Sequence, residues 1–516
     1  MRPSRGVIQY DLWITAAISS SMAMFFLLFG YVEFTTDSNT YTHYAIEMAQ
    51  GNFDPGLAIR TPGYPAMLVL TGYTFAGSLI GILILQAASG AAIPVVAGMI
   101  MQPISRWVAA LTSAVLILSL TPFQFINRIH PDQLYVFMMI VMAAFTCRWL
   151  LSDRPVWLYL STLSCLLASS LRPVGAALIL VCFGIAVCRR RHLGHAAVCA
   201  ALFLAVAIGF PKLERGQADK SFIGQQVFFN AYMWSDGLTD AFSSETAAQE
   251  LRENLRQFFA ENPTKRKTRL GGPQPTNDAY ERLFGRFDGN PDAQVTEMFV
   301  RPQMYYYWLI AVVSQSAWPD GDRILLRASL QHYWRHPWQF VRSILETYRG
   351  LTVGPAWTFT LDGYGFDSIG EQLIFFEPVY RDKGIIPTPE HDFVTATTVA
   401  MFGNKAKPIP EWALWIRRVF AADYVVLVPV SYLLMLIGVV GFIGVPGPAR
   451  TISLVVFGLH SVNVLALSAL VDPQFRYQTQ SIPLAIIGAG IGIYRLAMIC
   501  RPHHNRLSSF GQGERL

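Results

Sequence analysis

The sequence predicts an all-α polytopic membrane protein with about nine to eleven transmembrane helices and a large non-cytoplasmic loop region. Two observations support this fold class. Only 14% of the residues are charged, whereas a soluble globular protein has roughly 25%. The hydrophobic residues make up 53% of the chain, and they are gathered in runs of roughly 16 to 24, the length that a helix needs to cross a bilayer. The pattern excludes a soluble enzyme, a disulfide scaffold and a disordered chain.

The apolar runs divide the chain into four parts. We expect membrane helices in residues 1–211, a non-cytoplasmic loop region with amphipathic or interfacial helices in 212–423, closing membrane helices in 424–501 and a cytoplasmic tail in 502–516. The first run lacks the cleavage site of a signal peptide, so it should be retained as a span. The stretch Tyr64–Met101 is too long for one span and contains a Gly77-Ser78 break. We therefore expect a short or re-entrant helix followed by one crossing.

Basic residues at the ends of the apolar runs indicate which loops are cytoplasmic. These residues are Arg148, Arg154, Arg189, Arg190, Arg191, Arg450 and Arg501. Trp157–Cys188 is then a hairpin of two short helices with Arg172 at its outer tip. By the same count, Asn127–Asp132, the polar region and Asp472–Arg476 lie outside.

Two helices are expected within the polar region. Ala247–Ala260 has leucines and phenylalanines at helical spacing. Leu325–Tyr348 is rich in aromatic residues and arginines and is interrupted at His336-Pro337, which suits either a helix in the membrane interface or ordinary packing against the spans. Pro263–Pro275 is expected to be a loop rich in glycine and proline.

Several classes of partner and cofactor are not expected. The net charge of +6 is small for the length and no basic run alternates with aromatics, so a nucleic-acid partner is not expected. The six cysteines lie in or beside apolar runs, without the spacing of a disulfide framework or a metal site. The histidines are scattered (His43, His130, His332, His336). His332 and His336 are four residues apart but lack the glutamate of a zinc-protease motif, so zinc is not expected.

Four polar segments should converge on the outer face. They are the loop after the first span (Thr36–Ala45, with Asp37 and Tyr41), the end of that loop (Arg60–Pro65, with Tyr64), Arg172-Pro173, and Gln474–Tyr477 with Arg476. A carboxylate beside a membrane helix can act as general base for a hydroxyl group. It can also bind a divalent cation such as Mg²⁺ or Mn²⁺. Arginines at this boundary suit a lipid phosphate, because the guanidinium stays charged and binds oxygens bidentately. Taken singly, each of these residues is more often a solvated anchor at a helix end.

These residues resemble a known family. Asp37-Ser-Asn-Thr-Tyr41 is similar to its D-S-x-x-Y element, and Arg60-Thr-Pro-Gly-Tyr-Pro65 to its R-x-P-G-Y-P element. Arg172-Pro173 and Pro473-Gln-Phe-Arg476-Tyr477 match its two other arginine sites. The family is the GT-C superfamily of polyprenyl-phosphate-sugar glycosyltransferases, which includes protein O-mannosyltransferases, lipid A aminoarabinose transferases and rhizobial galacturonosyltransferases. The resemblance covers residues 10–190 well and 425–500 loosely.

The resemblance implies an inverting transfer from a polyprenyl-phosphate-linked sugar to a glycan, lipid or protein acceptor on the outer membrane face. Asp37 would be the catalytic carboxylate of the N-terminal module. Its acidic partner would be Glu47, Asp54 or Asp132, of which Asp132 is preferred for its position at the outer end of a span. Tyr41, Arg60, Tyr64, Arg172, Arg476 and Tyr477 would bind substrate. The membrane would be the bacterial inner membrane, with the site facing the periplasm.

Two other functions compete with this one. A transporter or flippase of a lipid-linked glycan usually has repeated halves and intramembrane charges near the midplane. No repeat is visible in this chain, and its charges cluster at helix ends. The second alternative is a non-catalytic assembly subunit that uses the outer region as a binding platform.

Overall fold

A computed structural model describes residues 5–29, 36–52, 61–188, 192–214, 224, 227–228, 246–261, 290–300, 321–352, 411–470 and 475–500. Every regular element within these ranges is helical. Four helical segments are long and apolar enough to cross a membrane, namely Ile80–Met101, Asp132–Ser152, Pro448–Ala469 and Gln480–Cys500. The described part of the chain is therefore all-α, and its long apolar helices indicate an integral membrane protein.

The helices are numbered here in chain order. They are α1 (Arg5–Phe29), α2 (Thr36–Ala49), α3 (Gly63–Leu70), α4 (Tyr73–Ala76), α5 (Ile80–Met101), α6 (Arg106–Leu118), α7 (Asp132–Ser152), α8 (Val156–Leu171), α9 (Ile179–Cys188), α10 (Leu193–Glu214), α11 (Thr246–Glu261), α12 (Pro291–Val300), α13 (Gly321–Arg335), α14 (Pro337–Thr352), α15 (Glu411–Phe442), α16 (Pro448–Leu470) and α17 (Phe475–Cys500). Short 3₁₀ turns lie at Thr121–Phe123 and Pro173–Leu178.

The break expected in the Tyr64–Met101 stretch is confirmed. Gly72 and Gly77 have φ angles of 90° and 64°, values that glycine adopts without strain. They separate the short helices α3 and α4 from the long helix α5. The first half of this stretch is thus made of short helices, as the sequence predicts.

Other predicted elements are also confirmed. Helices α8 and α9 pack against each other as a hairpin, with Arg172 and Pro173 at its tip. Helix α11 corresponds to the predicted Ala247–Ala260 helix. Helices α13 and α14 correspond to Leu325–Tyr348, and the chain breaks between them at His336. The predicted loop at Pro263–Pro275 lies outside the described residues.

Two helices extend beyond the predicted boundaries between the membrane segments and the polar region. Helix α10 continues to Glu214, past residue 211, and α15 begins at Glu411, before residue 424. Helical hydrogen bonding does not depend on apolar side chains, so a span can continue as a polar or amphipathic helix beyond its apolar run.

The bundle is held together by close helix packing. Helix α1 packs on α5, α5 on α6 and α7, and α7 on α8, while α15 and α17 form the most extensive pair. Gly488 and Gly492 of α17 face Met435 and Leu434 of α15. Such small residues four apart let helix backbones approach closely in membranes. A Cβ atom at position 492 would overlap the Leu434 carbonyl group.

We expect Gly492→Ala to destabilise the purified protein by roughly 1–3 kcal/mol, since the added methyl group meets backbone that cannot move aside. Thermal unfolding in detergent measures the change. Gly184→Ala in α9 is the matched control, because no heavy atom lies within 4 Å of its Cβ position. It should be neutral or slightly stabilising, as alanine favours a helix more than glycine does. Equal melting temperatures for the two variants would contradict the close packing of α15 on α17.

Candidate functional site

A cluster of charged and polar side chains is buried at the N-terminal end of α7. Asp132 is fully buried, and its carboxylate forms an ion pair with the guanidinium of Arg172. His130 Nδ1 lies 2.8 Å from Asp132 Oδ2, and Gln480 Nε2 donates a hydrogen bond of 2.8 Å to Oδ1. These four residues are called the Asp132 cluster below. They join α7, the end of α8, the start of α17 and the loop before α7.

Local sequence places the charged members of the cluster. Asp132 follows Pro131 and is the first residue of α7, where the helix dipole favours a carboxylate. Arg172 ends α8 in an extended conformation, with φ −145° and ψ 130°, because the proline that follows disfavours a helical residue. His130 Nδ1 lies between the Asp132 carboxylate and the guanidinium of Arg172, which only donates hydrogen bonds. Arg172 Nη2 lies 3.3 Å from the same nitrogen.

The loop after the first span forms helix α2, which is attached beside the cluster. Ser38 Oγ donates a hydrogen bond of 2.8 Å to the carbonyl of Ile129. The ring of Tyr41 meets that of His130 edge-on, with centroids 5.5 Å apart. Asp37 occupies the first turn of α2, directly before Ser38. Its side chain lies outside the described part of the structure.

The end of the same loop is attached to the tip of the α8–α9 hairpin. Thr61 Oγ1 donates a hydrogen bond of 2.9 Å to the carbonyl of Leu171, the residue before Arg172. Gly63 lies against Ser170 so closely that any Cβ atom would overlap it. Arg60 itself lies outside the described residues. The second predicted segment therefore reaches the cluster through Thr61 and Gly63.

Tyr64 connects this segment to α5. Its ring packs edge-on against Tyr41, with centroids 5.2 Å apart, and its hydroxyl donates a hydrogen bond of 2.8 Å to Gln86 Oε1. Gln86 Nε2 in turn donates to the carbonyls of Ile126, at 2.6 Å, and Arg128, at 3.0 Å. This buried amide fixes the loop that leads to His130 and Asp132.

The fourth predicted segment reaches the cluster through the start of α17. Arg476 and Tyr477 lie in the first turn of that helix, and their side chains are outside the described residues. Gln480 is one helical turn after Arg476 and bonds directly to Asp132. All four predicted segments therefore meet at one end of the bundle.

The alternative carboxylates differ in their surroundings. Glu47 lies 3.9 Å from His43 on the same helix and accepts a hydrogen bond from Asn52. These partners of Glu47 lie outside the Asp132 cluster, and Asp54 lies outside the described residues. Of the three candidates for the second carboxylate, Asp132 is the one that the described contacts place among the other predicted residues.

Sequence reasoning missed three contributors to this site. His130 was grouped with the scattered histidines, and Gln86 and Gln480 were not considered. A signal did exist for Gln86, since it is the only amide in the apolar stretch that forms α5 before Met101. A polar side chain within an apolar membrane helix is rare and marks a buried contact or a functional site. Gln480 could be found from its spacing of one turn from Arg476.

The described residues do not fit a divalent cation at Asp132. Asp132 Oδ1 already faces donors from Arg172 and Gln480, and a guanidinium repels a second cation. Within the described ranges, no three histidine, cysteine, aspartate or glutamate side chains come together as a metal site requires.

The His332 and His336 rings lie near each other on the break between α13 and α14, with centroids 5.0 Å apart. Burial, and then the nearby His336, lowers the pKa of His332 to about 4. His332 is therefore neutral at pH 7. The pair lacks a third ligand among the described side chains.

Comparisons with protein-family models, with curated proteins and with solved structures give no match to this chain.

The Asp132–Arg172 pair can be tested by a double-mutant cycle. Asp132→Asn should lower the free energy of unfolding by roughly 3–5 kcal/mol, because it leaves the Arg172 charge buried without its counter-ion. Removing both charges in Asp132→Asn/Arg172→Gln should restore part of this loss. Unfolding of the purified protein in a mixed detergent series measures all four species. A double variant whose loss equals the sum of the single losses would show that the two side chains do not interact.

Proposed function

We propose that this protein is an inverting glycosyltransferase that moves a sugar from a polyprenyl-phosphate-linked donor to a glycan, lipid or protein acceptor. The observation that carries the proposal is the meeting of four segments, separated by up to several hundred residues in sequence, at the Asp132 cluster. Each segment alone matches the GT-C pattern weakly. Their contacts at one end of one bundle favour a shared site over four unrelated anchors.

The ends of the bundle support a site on the non-cytoplasmic face. At the end opposite the Asp132 cluster, His192 Nε2 lies 2.7 Å from Asp153 Oδ1, and the Arg148 guanidinium lies over the Trp157 ring. Arg154 is in the same loop. Basic loops of this kind are typical of the cytoplasmic side. The chain has no N-x-S/T sequon, which agrees with a bacterial inner membrane, and the site would then face the periplasm.

Arg172 is the residue best placed to bind the donor phosphate. Asp132 fixes the plane of its guanidinium, and a guanidinium has five N–H donors, so one carboxylate does not exhaust its binding capacity. Its side chain is 11% exposed. Arg60 and Arg476 belong to segments that meet here and would add charge. A phosphate held this way is stabilised as it leaves, when its negative charge grows.

The two carboxylates have different proposed roles. Asp132 is paired with the Arg172 guanidinium and accepts a hydrogen bond from Gln480, which suits it to positioning Arg172. Asp37 is the proposed general base, carried on α2 beside the cluster. This division refines the expectation that both carboxylates act in the reaction.

The proposed reaction is a single displacement. The acceptor hydroxyl attacks the anomeric carbon of the donor as Asp37 takes its proton. The bond between that carbon and the phosphate oxygen breaks with inversion of configuration, and polyprenyl phosphate leaves with the bonding electrons. The ring of Tyr41 packs against those of Tyr64 and His130, and both tyrosines are proposed to bind substrate. No nucleotide is required.

Asp37→Asn tests this proposal, because it removes the carboxylate charge with little change of shape. We expect at least a roughly hundredfold loss of transfer rate, since a positioned general base contributes about 10²–10⁴-fold. The measurement is sugar transfer in membranes supplied with a panel of lipid-phosphate sugars. Asp153→Asn is the matched control at the opposite end of the bundle and should keep its activity.

More than about half of wild-type transfer in a normally expressed Asp37→Asn protein would contradict the role of Asp37. Movement of labelled lipid-linked glycan across reconstituted membranes, without any glycosidic product, would replace the proposal with a transporter.

A further inference from the structure

A second set of polar side chains is buried inside the bundle, next to the Asp132 cluster. Tyr135 follows Asp132 by three residues on α7, so the two side chains lie on the same face of the helix. The Tyr135 hydroxyl donates a hydrogen bond of 2.6 Å to Asn463 Oδ1 on α16. Tyr135 and Asn463 are fully buried. The polar contacts of the site therefore continue into the bundle.

The set continues from α16 to two more helices. His460 precedes Asn463 by three residues, and its ring centroid lies 5.6 Å from that of Tyr432 on α15. The Tyr432 hydroxyl lies 2.7 Å from the hydroxyl of Tyr348 on α14. We call Tyr135, Asn463, His460, Tyr432 and Tyr348 the polar row. It joins four helices and contains no carboxylate, lysine or arginine.

Three buried polar atoms along this line have no hydrogen-bond partner among the described residues. They are Asn463 Nδ2, His460 Nδ1 and Gln480 Oε1. Asn463 and Gln480 are 0% exposed and His460 is 3% exposed. Buried polar atoms in native proteins are nearly always paired, so three orphans on one line need an explanation.

The chemistry of these atoms indicates what would pair with them. Asn463 Nδ2 is a donor and needs an acceptor, whereas Gln480 Oε1 is an acceptor and needs a donor. A hydroxyl group supplies both. Rings from tyrosine and histidine flank the amides, and ligand sites of this type combine apolar or aromatic walls with a few placed polar groups.

We propose that the polar row is a binding subsite for an uncharged, polyhydroxylated ligand, that is, a neutral sugar. An amino sugar would need a carboxylate and a uronic acid would need a cation, and the five residues of the polar row include neither. The interpretation of the polar row as the sugar subsite of a transferase rests on the proposed function. Its affinity for a neutral glycoside does not depend on that function.

The experiment measures binding of methyl glycosides to the purified full chain in nanodiscs free of glycoside detergent. Saturation-transfer NMR or calorimetry would compare the methyl glycosides of glucose, galactose and mannose with those of glucosamine and galacturonate. At least one neutral glycoside should bind with a millimolar dissociation constant, and the charged ones should bind more weakly.

Two variants assign the binding to the polar row. Asn463→Leu removes an unpaired donor but also the hydrogen-bond partner of Tyr135. His460→Phe disturbs the fold less, because it keeps an aromatic ring at this position and every hydrogen bond described above. Each should weaken binding by at least roughly tenfold. Ser453→Ala is the matched control. Ser453 is a buried polar residue of α16 whose hydroxyl also lacks a hydrogen-bond partner among the described residues. It lies near the start of α16, far along that helix from Asn463.

The outcomes separate the subsite from the proposed function. If no neutral glycoside binds, if the charged glycosides bind more tightly, or if both variants bind as wild type does, the subsite is wrong and the orphan atoms are satisfied by water alone. If the glycosides bind as expected while no lipid-linked sugar is transferred, the subsite stands and the proposed function fails. If transfer occurs but both variants bind the glycosides as wild type does, the proposed function stands and the subsite fails.

Discussion

The buried ion pair between Asp132 and Arg172 is the contact on which the arrangement of the site depends. Removing two charges from water is costly, and their attraction offsets that cost only when the geometry is good and further hydrogen bonds satisfy the remaining atoms. Here Gln480 donates such a bond to Asp132 Oδ1, and His130 lies beside the other carboxylate oxygen. The ends of α7, α8 and α17 must therefore sit in one fixed arrangement, which holds in place the guanidinium that we propose binds a phosphate.

The first-loop segments are attached to this centre by hydrogen bonds and by packing. Ser38 and Thr61 each donate a hydrogen bond to a backbone carbonyl, a contact worth about 1 kcal/mol. Tyr41, Ala45 and Tyr64 are buried in one apolar cluster with Tyr135 and Leu171. Helix α2, which carries the proposed base, is thus packed against the same end of the bundle as the Asp132 cluster.

Part of this site can be read from the sequence and part cannot. Polar residues at the ends of apolar runs indicated Arg172 and the loop of Asp37, because helix ends are where a membrane protein tolerates charge. Asp132 was preferred through the family resemblance and its position at the outer end of a span. The break at Gly77 followed from backbone chemistry, and the tip at Arg172 followed from the count of crossings between basic loops. The partners of Asp132 did not follow, because Gln480 is 348 residues away in sequence. Pairings of that kind depend on how helices pack, which no local pattern encodes.

The account is tested most directly by the affinity of the purified protein for undecaprenyl phosphate, a lipid phosphate without a sugar. We expect Arg172→Ala to weaken binding about 10- to 150-fold, the effect of losing a charge-assisted contact. Arg172→Lys should recover only part of this loss, because lysine lacks the planar fork. Arg148→Ala, which removes an arginine from the opposite end of the bundle, should bind as wild type does. Wild-type affinity in Arg172→Ala would contradict the account.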